Sequence, residues 1–187
     1  MKVLVVVDMQ NDFVSGALGT PEAQSIVPNV VKKIEEYANY GEDVRIYFTK
    51  DSHFFDYLDT EEGKNLPISH CLVNTEGWEF VSEIKDWPDN VHNFQIVKNT
   101  FGSIKLSTLL REDKYEIESV ELVGLCTDIC VISNAIIAKT GAYDSPIYVD
   151  ASCCAGTTPE AHDKAIDLMK NSLQIHILNE GKEPWRK

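Results

Sequence analysis

The sequence predicts a three-layer α/β/α domain built on a mostly parallel sheet of six strands. Two observations carry this. Val3–Val7 is continuously apolar and β-branched and reads as a strand covered on both faces, and Val120–Gly124 reads as a further strand. Between the strand runs, several stretches repeat apolar residues at helical spacing. Strands alternating with helices pair in parallel, with right-handed crossovers and helices on both faces. A chain of 187 residues suits a single domain, 1–187, with a sizeable core.

Taken in order, the first strand ends at Asp8, and Met9–Gly19 holds so many turn formers (Asn11, Asp12, Ser15, Gly16, Gly19) that a loop is expected. From about Ser25 the residues Ile26, Val30, Val31, Ile34, Tyr37 and Ala38 recur at helical spacing, with Pro28 near the start and Gly41 past the end. Val44–Thr49 is the second strand. From there to about His92, Gly63, Pro67, Gly77 and Pro88 interrupt any period, and so long an irregular connection is usually functional. Gln95–Val97 makes a third strand and Phe101–Arg111 a helix. Val120–Gly124 leads into a helix that stops near Gly141, and Pro146–Asp150 is the fifth strand. Thr157-Thr158-Pro159-Glu160 combines a hydroxyl cap, a first-turn proline and an acid, a helix start. Leu173–Leu178 closes the sheet, and the charged tail from Asn179 is expected on the surface.

Composition narrows the partners. A formal charge of −13 opposes nucleic acid and acidic lipid, and leaves a neutral small molecule untouched. No stretch reaches membrane-spanning length, and the apolar start is too short for a signal peptide and lacks a cleavage site. Five cysteines, odd in number and without paired spacing, suit a reducing cytoplasm and free thiols.

The chemistry gathers around Leu122–Val131, L-V-G-L-C-T-D-I-C-V. It puts Cys130 just past a buried strand and near a helix N-terminus, where unpaired N–H groups and the helix dipole ease ionisation of a thiol. The alternative is a buried small hydrophobe, as most free cysteines are. Asp8 and Lys98 also fall at strand ends, on the sheet edge where ligands collect. A carboxylate can take a thiol proton and return it to a departing nitrogen, and an ammonium favours developing negative charge. Taken singly, Asp8 reads as a turn residue and Lys98 as a surface lysine. A second constellation is Asp51-Ser52-His53: residues two apart share a side in extended chain, so Asp51 and His53 could hold a metal that His70 completes, with Glu62 a candidate fourth ligand or one more surface acid. Such oxygen and imidazole ligands suit zinc, iron or manganese.

The motifs D8-M-Q-N-D-F13, T49-K-D51-S-H53, S69-H70-C71, K98-N-T-F101, G124-L-C-T-D-I-C130-V and Y148-V-D150-A-S-C-C-A-G156-T-T-P-E-A-H162 follow one another over nearly the whole chain. In them the sequence resembles the isochorismatase-like cysteine hydrolases, and within that family the nicotinamidases (pyrazinamidases). The resemblance implies the isochorismatase-like, Rossmann-like fold; a catalytic triad of Asp8, Lys98 and Cys130; and a divalent metal, zinc first, on Asp51, His53 and His70. It further implies a non-proline cis peptide between Leu125 and Cys126, an oxyanion hole from the N–H groups of Cys126 and Cys130, and a ring site formed by Phe13, Phe101 and Leu125. The implied reaction converts nicotinamide to nicotinate and ammonia through a cysteine thioester. Two departures bear on the substrate: Gly102 follows the aromatic of K98-N-T-F101 where many relatives have serine, and Leu66-Pro67 stands near where a ring-contacting aromatic often sits. Two rival readings are a cysteine amidohydrolase for another amide or ureido compound and a catalytically silent binding member, and a homo-oligomer is open.

Overall fold

The computed structural model describes residues 1–41, 43–89, 93–114 and 116–186; the expected end of the irregular stretch at His92 lies outside them. Strands β1 (Lys2–Val7), β2 (Val44–Asp51), β3 (Asn93–Lys98), β4 (Ser119–Leu125), β5 (Ile147–Ala155) and β6 (His176–Leu178) form one sheet in the order β3-β2-β1-β4-β5-β6. Every pairing is parallel. The expected architecture is therefore the one observed.

Helices α1 (Asn11–Val14), α2 (Pro21–Ala38), α3 (Glu61–Asn65), α4 (Ile104–Glu112), α5 (Ile132–Gly141) and α6 (Pro159–Asn171) connect the strands. Alternation along β1 divides the interior into two cores. Leu4 and Val6 meet Ile26, Val30 and Ile34 of α2, while Val3, Val5 and Val7 face Leu106 and Leu110 of α4, Ala135 of α5 and Ile166 of α6. Each such side chain, fully buried, is worth about 1.5–3 kcal/mol, so the central strands are fixed from both faces. Glu121 of β4 is buried toward α2, where Lys33 Nζ lies 2.7 Å away and Tyr37 donates a hydrogen bond at 2.8 Å.

Several boundaries differ from expectation, each for a local reason. Met9–Gly19 contains the single helical turn α1 rather than loop alone. The first long helix begins at Pro21, because Thr20 Oγ1 accepts from Ala23 N–H at 3.0 Å and Pro21 supplies the first position; Pro28 lies inside the helix. Helix α4 starts at Ile104 instead of Phe101, since Ser103 provides the cap through Leu106 N–H at 3.2 Å. Strands β2, β3 and β5 run longer than predicted and β6 is shorter. The tail from Asn179 is largely exposed, as expected, with one exception: the Glu183 side chain is fully buried. Its charge suggests solvent, but His162, Gly181 N–H and Arg186 supply polar partners inside. Gly124 is required where β1 and β4 meet: its φ is +116°, and a Cβ at this position would lie only 2.1 Å from Val7 O.

Candidate active site

The carboxyl ends of β1, β2, β3 and β4 carry Asp8, Asp51, Lys98 and the turn to Cys130 to one edge of the sheet. Asp8 has φ 48°, a left-handed conformation that aspartate tolerates better than most residues. Its Oδ1 accepts from Thr49 Oγ1 at 2.7 Å, and Lys98 Nζ lies 2.6 Å from Oδ2, which has no other donor among the described residues. Lys98 Nζ is also 3.4 Å from Asp51 Oδ1 and 3.7 Å from Cys130 Sγ. Asp8, Lys98 and Cys130 are all buried.

Burial sets the electrostatics. It pushes the Cys130 thiol well above its ordinary range, Asp8 adding to the rise and Lys98 only partly opposing it. The direction is opposite to the ease of ionisation expected at a helix start. Cys130 sits in a π-helical turn, Thr127–Val131, that runs directly into α5, so it lies near a helix start as expected. Desolvation pushes Asp8 upward against the Lys98 charge. For Lys98 itself, desolvation is outweighed by the Asp8 and Asp51 carboxylates, which keep its ammonium protonated. The Leu125–Cys126 peptide is cis.

Beside this group lie Asp51, His53 and His70, each offering a ligand atom within 4.8 Å of the others. Asp51 Oδ2 is 3.0 Å from His53 Nε2 and 3.6 Å from His70 Nε2. Glu62 Oε1 faces the same two nitrogens at 3.6 and 3.7 Å. His70 Nδ1 is 2.9 Å from Ile68 O, so its hydrogen-bonded Nδ1 leaves Nε2 toward the cluster. Against desolvation, contacts from His53 and His70 and the Lys98 charge hold Asp51 well below the usual carboxylate range. Two imidazoles and two carboxylates around one point fit a divalent cation such as zinc, iron or manganese.

The Asp51, His53, Glu62 and His70 cluster and, from the first group, Cys130 line one cavity of about 1140 Å³, with Asp8 and Lys98 behind Cys130. Phe13 and Phe101 line it with Ile129, Cys126, Tyr57 and Leu66. Leu125 does not: it is fully buried among Val123, Cys153 and Ala155 in the α2-side core, because β-strand alternation turns it away from the pocket that Cys126 reaches. Three supporting residues escape sequence reasoning. Gln10 donates to Asp51 O at 2.8 Å and accepts from Asp51 N–H at 2.7 Å, clamping the end of β2. Asn134 donates to Cys130 O at 2.8 Å and Phe101 O at 3.1 Å, joining the Cys130 turn to the loop before α4. The Tyr57 ring packs 4.7 Å from His53 and 5.0 Å from His70, holding the two imidazoles from one side. A polar residue within an otherwise apolar helix face is the available signal for Asn134; the aperiodic stretch around Tyr57 holds none.

Among the described residues no helix is long and apolar enough to cross a membrane. Nicotinamidase of Saccharomyces cerevisiae is 25% identical over 219 residues, spanning 96% of this chain and 98% of its own. A pyrazinamidase of Pyrococcus horikoshii solved in complex with zinc superposes with a TM-score of 0.79 at 29% identity, over 95% of this chain and 98% of that one. N-carbamoylsarcosine amidase from Thermoplasma acidophilum gives 0.78 at 26% identity, over 100% and 98%. The Isochorismatase domain pattern matches residues 2–180, and with that match spanning nearly its whole length the chain belongs to the isochorismatase family.

Proposed function

We propose that this isochorismatase-family hydrolase converts nicotinamide to nicotinate and ammonia, with Asp8, Lys98 and Cys130 as its catalytic residues. The observation that carries the reading is a thiol that faces one apolar cavity together with the Asp51–His53–His70–Glu62 cluster and is backed by the Lys98 ammonium and the buried Asp8 carboxylate. Likeness to nicotinamidases and pyrazinamidases over most of the chain supports it further.

Because the resting thiol is held neutral, its proton must leave as Cys130 Sγ attacks the carboxamide carbon. Asp8 Oδ2 receives that proton and passes it to the amide nitrogen. The carbon–nitrogen bond breaks, ammonia departs and a thioester remains on Cys130. Asp8 next takes a proton from water; the hydroxyl displaces the thiolate, which regains the proton as nicotinate leaves. Lys98 stays protonated throughout, offsetting negative charge as it moves between Asp8 and sulfur. The N–H groups of Cys126 and Cys130 receive the tetrahedral oxyanion. Phe13 and Phe101 hold the ring against the apolar wall. Asp51, His53, His70 and Glu62 would hold a divalent cation, which when bound would supply Lewis-acid chemistry beside the ring.

Ammonia release from nicotinamide, with and without a divalent-metal chelator, tests this. The expected result is release that stops on chelation and returns with zinc, manganese or iron. No release at any metal loading overturns the nicotinamide assignment. A second reading, a larger amide or ureido substrate, is favoured by the cavity, whose 1140 Å³ exceeds the roughly 300–1,000 Å³ of drug-sized sites. Chelator-insensitive ammonia release from such compounds is its signature.

A further inference from the structure

Beneath the turn that bears Cys126 and Cys130 runs a second, hidden chain of polar groups. Thr127 Oγ1 is 2.8 Å from His162 Nδ1, and His162 Nε2 is 3.3 Å from Glu183 Oε1. Thr127 and His162 are fully buried, as is the Glu183 side chain. Arg186 Nε pairs with Glu183 and its other nitrogens with Asp163. The Trp185 ring stands edge-on to His162 at 5.2 Å. Next to Thr127, Asp128 accepts from Thr157 N–H at 2.8 Å and Thr157 Oγ1 at 2.6 Å. The turn is thus held at adjacent residues by the start of α6, and α6 is held by the tail.

The proton arrangement is fixed by chemistry. An ionised Glu183 carboxylate only accepts, so His162 Nε2 carries the hydrogen, Nδ1 offers its lone pair and the Thr127 hydroxyl donates. Burial keeps His162 below its ordinary pKa, consistent with a neutral ring. The set of hydroxyl, imidazole and carboxylate has the composition of a hydrolytic triad. Thr127 is closed to substrate, however, so it is no nucleophile. Burying three polar groups is costly where apolar packing would serve, and a hydrogen-bonded chain of this kind favours one geometry over its neighbours.

We infer that Thr127, His162 and Glu183 are positioning residues that fix the Cys126–Cys130 turn from behind, making the C-terminal segment part of the reaction site. This rests on the amide-hydrolase reading of that site. The first test is Thr127→Val, which keeps shape and removes the hydroxyl, with His162→Ala, His162→Asn and the Thr127→Val/His162→Ala double variant. Displacing a reacting group by a fraction of an ångström to 1 Å costs up to about 100-fold, so kcat for nicotinamide should fall roughly 10- to 100-fold in Thr127→Val and His162→Ala. KM and bound metal should stay within about twofold, since neither residue lines the cavity. The side-chain oxygen of His162→Asn can accept from Thr127 and should restore most of kcat. The double variant should be no worse than the poorer single one, as expected of residues acting through one contact.

Unchanged kcat in Thr127→Val overturns the inference, and so do additive losses in the double variant. If wild-type protein does not hydrolyse nicotinamide, the substrate assignment fails separately and alkylation of Cys130 by iodoacetamide, located by mass spectrometry, decides the matter. A shift in the Cys130 rate of about 10-fold in Thr127→Val supports positioning, and equal rates refute it.

Discussion

Replacing Lys98 by methionine isolates what the single ammonium contributes, because methionine keeps the unbranched apolar stem and lacks only the terminal charge, and Lys98 does not line the cavity. At 3.7 Å from Cys130 Sγ, and with an effective dielectric constant near 20, the attraction between the ammonium and a forming thiolate is about 4.5 kcal/mol. At 1.36 kcal/mol per factor of ten, that corresponds to roughly three orders of magnitude in rate. Part is returned, because Asp8 loses the same cation at 2.6 Å and becomes the stronger base. The expected fall in kcat/KM is therefore about 100- to 1,000-fold. Steady-state ammonia release, coupled to NADH oxidation, measures it. Bound metal must be quantified in parallel, since Lys98 also lies 3.4 Å from Asp51. A folded, metal-loaded Lys98→Met protein within roughly tenfold of wild type would refute the electrostatic role given to Lys98.

Two further outcomes concern stability. Gly124→Ala places a methyl against Val7 O at a φ of +116°, between the two central strands; a loss of about 3 kcal/mol, a drop in Tm of roughly 6–12 °C by calorimetry, is expected, and an unchanged Tm would show that the strands part easily. His162 is held below its ordinary value of 6.5 by burial, with Glu183, Asp163 and Arg186 the charges around it. Its unfolded form therefore binds a proton that the folded form refuses, so its contribution is whole above 6.5 and lost as pH falls toward the folded value. Glu183, held low despite desolvation by Arg186 and N–H groups, extends the loss in the same direction at more acidic pH. Melting curves between about pH 7.5 and 5.5 should show a steeper decline for wild type than for His162→Asn, and parallel curves would count against the buried neutral ring.

What can be read from the residues alone follows from how each signal is written. Val3–Val7 is apolar on both faces, so its burial and parallel pairing are local properties of the sequence, whereas Val120–Gly124 carries Glu121, whose partners Lys33 and Tyr37 lie on another element. Once they are strands, Asp8, Asp51 and Lys98 fall at one sheet edge by topology. Glu183 and Arg186 read as surface charge because their partners, His162 and Asp163, lie on another element and nothing near them in sequence announces it. Gln10 is hidden in the same way, since its function is to hydrogen-bond the main chain of Asp51 across a strand boundary. The raised Cys130 thiol shows the opposite failing: a helix dipole favours ionisation locally, but complete burial is visible only in three dimensions.

Lys98 is the last residue of β3, and β3 is the outermost strand on its side of the sheet. Its neighbours Phe94 and Val97 are about half exposed, and among the described residues β2 is the strand that pairs with it. Edge strands of this kind open at lower free energy than a central pair such as β1 and β4. Fraying of β3 would carry away the site's ammonium while the rest of the domain stayed folded. Heat or denaturant should accordingly silence the enzyme before it unfolds, and anything that braces that border of the sheet would lengthen its working life without touching the pocket.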